Sequence, residues 1–209
     1  MMRDVVLRIF LLLLLLVAIF GVNTASSHTN KIMVIIPEYQ MDSVNSGQIF
    51  PDVPSQNTRS SYRRIVPDPA GETEVIKILI KEGYHVVNQE QIIKIRYTDQ
   101  VNDVLNGEKD IAILLGNKYG ADILIVGEAI TQSTGNAFQG LFSSRARVEA
   151  KIIDLKNGKI LFTDGLYASA MDRSEIISGK KALQKAGAEI GNIFVEKLKH
   201  IYRKSSSAE

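Results

Sequence analysis

Cysteine is absent from the 209 residues. Without a thiol the chain can form no disulfide and carry out no thiolate chemistry. The same absence removes the residue that is acylated in a bacterial lipoprotein, so the sequence alone reads as not a lipoprotein. Histidine is nearly as scarce. His28, His85 and His200 are the three, and none has a partner at metal-ligand spacing. An excess of one charge is also missing. Twenty-five basic and 23 acidic side chains leave a formal net charge of +2. No Lys/Arg block rises above the ordinary surface pattern, so nucleic acid is not an expected partner.

Long hydrophobic runs are missing except for one. IFLLLLLLVAIFGV fills residues 9–22, after Arg3 and Arg8 and before Asn23, Thr24, Ala25, Ser26 and Ser27. A basic start, a short apolar core and a small-residue exit describe a secretory signal peptide over 1–27, with His28 as the mature start. The other reading is an uncleaved anchor, which would associate the chain with a membrane. The run falls short of the ~20 residues a spanning helix needs. Either route gives export, to the periplasm or cell envelope. Losing residues 1–27 would take Arg3, Arg8 and Asp4, so that 25 and 23 become 23 basic and 22 acidic side chains.

The remainder, 28–204, is long enough for one packed core, followed by a tail over 205–209. KIMVIIP at 31–37 reads as a buried strand. Residues 38–71 hold Pro51, Pro54, Pro67 and Pro69 among Ser and Asn, with few aliphatics. Such a stretch buries too little to offset its ordering entropy, so it reads as a mobile insertion. Residues 72–83 follow as a helix, with Val75, Ile76 and Leu79 on one face. Then come a strand at 84–87 and a short helix capped by Asn88. A segment with Val101, Val104 and Leu105 precedes a helix over 108–120. ADILIVGEAI at 121–130 is a strand. RARVEAKIID at 145–154 alternates between two faces, the pattern of a strand with one wet side. Asn157-Gly158 is a hairpin signal. The last helix, about 179–202, buries Leu183, Ala186, Ile190, Phe194 and Leu198. Its Gly187 and Gly191 leave room for close approach to a sheet. The order predicts an α+β fold: a single mixed sheet with antiparallel C-terminal hairpins and helices packed on it.

Chemistry-bearing motifs are few. GADILIVGEAITQSTGNAFQG at 120–140 is glycine-rich but leads into a strand. A phosphate grip needs backbone N–H groups at a helix start. SEIISGKKA at 174–182 has Ser174 where the first glycine of a P-loop belongs and Lys181 in place of Ser/Thr. No G-x-S-x-G or H-E-x-x-H is present. Asp122, Glu128, Glu149, Asp154, Asp164 and Asp172 are scattered, although Glu149 and Asp164 could meet across a hairpin. A hydrolase would need Asp154, Asp164 and His85 to converge. The expectation is a non-enzyme with no catalytic, cofactor or metal site.

KIMVIIPE, EGYHVVNQEQI, LGNKYGADILIVGEA and RVEAKIIDLKNGKILFTDGLYAS, with the long closing helix, resemble the CsgG-like group of bacterial envelope proteins. That group includes the curli-secretion channel subunit, the penicillin-binding-protein activator LpoB and the flagellar protein FlgT. The layout is also similar to the amino-terminal domain of TolB. The resemblance implies an exported domain that binds or helps assemble other cell-envelope proteins. The alternative it leaves is a homo-oligomeric secretion channel or curli-type transport component of the outer membrane. Aromatics and arginines are frequent interface anchors. The candidate contact residues are therefore Tyr62, Arg63 and Arg64 in the insertion, and Phe138, Leu141 and Phe142 in a loop expected over 131–143. Core packing is the competing role for Phe138 and Phe142.

Overall fold

The computed structural model describes residues 28–41, 63–138 and 140–206. A seven-stranded mixed sheet is built around one long strand. That strand, β5 (Ile123–Phe138), takes β6 (Leu141–Asp154) antiparallel on one side, and β7 (Lys159–Asp172) continues antiparallel beyond β6. The other side of β5 is divided. Its first half pairs in parallel with β1 (His28–Ile35) and its second half with β2 (Glu38–Met41). Pro37 causes the division: it has no N–H to give a ladder, and its carbonyl accepts from Ala129 N at 2.9 Å. Beyond β1 lies β4 (Tyr84–Val86), parallel; beyond β2 lies β3 (Arg63–Ile65), antiparallel.

Side-chain alternation assigns the two faces of the sheet. Ile32, Val34, Ile125, Ala146, Val148, Ala150 and Ile152 are buried on one face, under α1 (Ala70–Lys81) and α5 (Glu175–Ser206). Met33, Ile35, Leu124, Val126 and Ile153 are buried on the other. There they lie under α2 (Gln89–Ile93), α3 (Asp99–Leu105) and α4 (Lys109–Tyr119). The layers match in length. Thirty-two residues of α5 span roughly 48 Å at 1.5 Å each, and sixteen of β5 roughly 53 Å at about 3.3 Å each.

The α+β class and the mixed sheet with helices packed on it are as expected, and several boundaries differ. The stretch 38–71 opens on β2 and ends on β3 and the first turn of α1; residues 42–62 lie outside the described residues, as do 1–27. The expected loop over 131–143 is mostly strand: β5 continues to Phe138, and β6 resumes at Leu141. The last helix starts earlier than Gly179, because Ser174 accepts the amide of Ile177 at 3.5 Å and serves as its N-cap. It also runs into the expected tail, to Ser206. Asn157-Gly158 does close the hairpin, with Gly158 at φ +66. Gly187 faces a helix and not the sheet. A Cβ there would strike the backbone of Gly71 in α1, reaching its carbonyl oxygen and lying 2.6 Å from its Cα.

Candidate partner-binding face

The α2–α4 layer stops partway along the sheet. Lys151 on β6 marks its border, donating to the carbonyls of Val104 and Leu105 at the end of α3, at 2.8 and 3.1 Å. Past it, none of the helices α2–α4 lies in the core of that face, although Tyr97 stands edge-on to Tyr39 at 5.9 Å and Met41 is 4% exposed. The register gives the composition of this bare half. One rung across five strands reads Ile65, Tyr39, Ile130, Arg147, Tyr167. The next reads Arg63, Met41, Gln132, Arg145, Ser169. Both ends of the first rung are exposed, Ile65 by 47% and Tyr167 by 45%.

Charge on this face is locally balanced. Glu128 and Glu149 sit directly opposite each other on β5 and β6, an arrangement that repels. Each carboxylate takes its own arginine: Arg63 bonds Glu128 at 2.8 Å and Arg147 bonds Glu149. The same two arginines lie over tyrosine rings, Arg63 5.2 Å from the centre of Tyr39 and Arg147 5.9 Å from that of Tyr167. Two polar groups remain unmet. Gln132 is 2% exposed, yet neither atom of its amide has a hydrogen-bond partner, and Arg147 Nε has none either. Buried polar groups are nearly always bonded, so these two are the irregular feature of the face.

The sequence-derived contact residues do not form one patch. Arg63 is on the bare face. Arg64 pairs with Gln40, one residue along, and so belongs to the opposite face. Both are exposed. Tyr62 lies outside the described residues. Phe138 ends β5 and pairs with Leu141 across the hairpin tip. Leu141 and Phe142 are half-buried and, as neighbours in a strand, point to opposite faces. Glu149 and Asp164 do not meet: Glu149 is opposite Gly165, and Asp164 is opposite Ala150. Tyr39, Ile130, Gln132 and Tyr167 were not singled out from the sequence, and Glu128 was read there only as one of the scattered acids. The odd-numbered alternation of β6 was the available signal, because it fixes which residues of β5 and β7 share its wet face.

A second polar constellation is buried beside this face. Glu38, Glu72 and Arg96 are almost fully enclosed. Pro69 offers α1 no side-chain cap, and Glu38 supplies one from β2. Its carboxylate accepts the amides of Ala70, Gly71 and Glu72 at 2.8, 2.7 and 2.9 Å. Glu72 in turn accepts Ile36 N at 2.6 Å and Arg96 at 2.5 and 3.2 Å. Burial pushes the Glu38 carboxyl up to about 7, against the downward pull of its three amide bonds. Burial also raises Glu72, with Arg96 opposing. A carboxyl whose pKa rises on folding holds its proton more tightly in the folded chain. Its contribution to stability is full below the unfolded value near 4.5 and is lost as pH climbs through about 7. The denaturation midpoint should therefore fall between about pH 5 and pH 7.5. Glu38→Gln should flatten that slope; an unchanged slope in the variant would exclude Glu38 as its source.

Comparison with known proteins gives the family. A family model described as the TP0693-like lipoprotein, C-terminal domain, matches residues 59–199. No curated protein matches the chain. Among solved structures, the chain is similar to lipoprotein GNA1162 from Neisseria meningitidis, at 16% identity over 80% of this chain and 99% of that one, with a TM-score of 0.37. Protein CT253 from Chlamydia trachomatis gives 11% identity over 78% and 96%, with a TM-score of 0.43. The LpoB C-terminal domain from Salmonella enterica gives 10% over 66% and 81%, with a TM-score of 0.33. Likenesses at these TM-scores carry no argument about function. The family corrects two expectations. It is a bacterial envelope family, as the resemblance implied, but not the CsgG-like group. It is also a lipoprotein family, against the expectation drawn from the missing cysteine that this is no lipoprotein. The chain belongs to the family of TP0693-like lipoproteins, whose C-terminal domain spans residues 59–199 here.

Proposed function

We propose that this chain is an exported, non-enzymatic envelope domain that binds other envelope proteins, and that the bare half of its sheet is the contact surface. The observation that carries the proposal is the rung Tyr39–Ile130–Arg147–Tyr167, whose Tyr167 end is 45% exposed. Tyrosine and arginine dominate interface hot spots. The envelope location comes from the lipoprotein family. The channel alternative asks β5–β7 to face lipid. Here α5 covers one side of them, and Arg145, Arg147 and Glu149 line the other, which does not suit a lipid face.

The test is photo-crosslinking in cells. A crosslinking amino acid at Tyr167 should yield a discrete adduct with another envelope protein, and the same group at Ile80, exposed on α1, should not. Arg147→Ser combined with Tyr167→Ala in a protein carrying the crosslinker at Ile65 should abolish the adduct and leave the circular dichroism spectrum unchanged. Equal adducts from Ile80 and Tyr167 would sink the assignment of the face.

A further inference from the structure

The outer edge of β7 is open. Thirteen of its fourteen residues pair with β6 on one side, and no described strand pairs with it on the other. Two hydrogen bonds identify which residues face outward. Gly165 N donates to Asp164 Oδ1 at 2.8 Å, and Lys185 Nζ donates to the carbonyl of Ser169 at 3.3 Å. Backbone groups of the odd-numbered residues therefore point away from β6. Soluble proteins blunt such edges with proline, lysine or an inward charge. From 160 to 171 this strand has no proline, no lysine and one charge, Asp164; the Asp164 carboxylate and Lys185 of α5 hold one outward group each, and a pairing strand would displace both.

We propose that the β7 edges of two copies of this chain pair antiparallel about a two-fold axis at Leu166, making one continuous sheet. The strand's own sequence selects that register. A two-fold perpendicular to the sheet places like-facing residues opposite each other. With the axis at Leu166, the opposed pairs are Phe162 with Ala170, Gly165 with Tyr167 and Thr163 with Ser169. Both aromatics meet small residues, Tyr167 covering a glycine, while Leu166 meets its own copy at the axis. Placing the axis at Gly165 instead opposes Asp164 to Leu166. A slip by one residue turns every side chain to the wrong face. The helices do not obstruct the pairing. Each α5 lies over both β6 and β7, so the two copies of α5 stand about two strand spacings apart, roughly 10 Å, which is the 8–10 Å of packed helices and sets them side by side. The contact is isologous and closes on itself. It sets both bare faces on the same side with Tyr167 of each at the seam, so the rest of the rung, from Tyr39 to Arg147, stays open to the partner proposed above.

The absence of cysteine makes the test direct, because a single introduced thiol is the only one in the chain. Leu166→Cys in the full chain should oxidise to a disulfide-linked dimer without any other protein, since opposed residues at a non-hydrogen-bonded site lie within disulfide reach. It should do so about tenfold faster than Ile177→Cys, an exposed control off the edge. The register has its own check, which also holds if Leu166→Cys fails to fold. Asp164→Cys mixed with Ala168→Cys should crosslink, and neither should do so alone. Sedimentation of the unaltered chain should give twice the mass of one copy. A single-copy mass at every concentration, with no crosslink from the mixed pair, would overturn the proposal.

Discussion

Arg96→Met is expected to destabilise the fold by about 3–5 kcal/mol, a large fraction of the whole stability of a domain this size. Arg96 is 4% exposed and its guanidinium makes two bonds to a carboxylate that is 1% exposed. Removing the cation leaves Glu72 charged and enclosed, still bonded to Ile36 N but without a counter-ion. Such an orphaned charge costs more than the pair itself contributes, because desolvation is no longer offset. The loss should shrink at low pH, where Glu72 takes up a proton. Chemical denaturation of the variant at about pH 7.5 and pH 5 measures both effects. Replacing Glu72 by Gln in the Arg96→Met background should recover part of the loss, since the acceptor for Ile36 remains and the charge does not. A loss under about 1 kcal/mol at neutral pH would show that water reaches the cluster.

Gly187→Ala should cost about 3 kcal/mol, at the upper end of what overpacking does. The added methyl group would meet main-chain atoms of Gly71, whose own Cβ would lie 3.0 Å from the carbonyl oxygen of Leu183. Neither side has a flexible side chain to move. Helices α1 and α5 would have to separate, and α1 is also held at its first turn by the Glu38 carboxylate. Ala188→Gly, one residue along the same helix, is a control for helix propensity and should cost about 1 kcal/mol. Thermal denaturation of the two variants tests the difference. A gain of about 1 kcal/mol in Gly187→Ala, the propensity effect alone and opposite in sign to the control, would mean that the close contact of α1 and α5 contributes nothing.

Where burial follows a strict period, the fold was legible in the residues. The alternation from Arg145 to Asp154 named the inward side chains of β6, and the stripe of Leu183, Ala186, Ile190 and Phe194 named the buried face of α5. Both depend on neighbours in sequence alone. The length of β5 was not legible. Residues 131–137 are polar or small, and their strand state comes from pairing with β6, joined by β2 only as far as Gln132, a tertiary effect that overrides propensity. Glu38 was read as the start of an insertion, because nothing nearby in sequence shows that it caps a helix 32 residues later. The candidate site was less legible than the fold. Arg63 and Arg64 formed a patch on paper, and one step of strand alternation puts them on opposite faces. Tyr39 and Tyr167 became neighbours of arginines only through the register of five strands.

β1 and β5 run side by side in the same direction, which sets a stand-off. His28 enters beside the start of β5, at the end of the sheet covered by α2–α4. The bare face begins near Glu128, and the hairpin turns after Phe138. Ten strand residues past Glu128 extend roughly 33 Å. Whatever holds the chain at its entry point therefore sets this half of the sheet, with α5 behind it, beyond helices α2–α4, like the blade of a tool gripped at the other end.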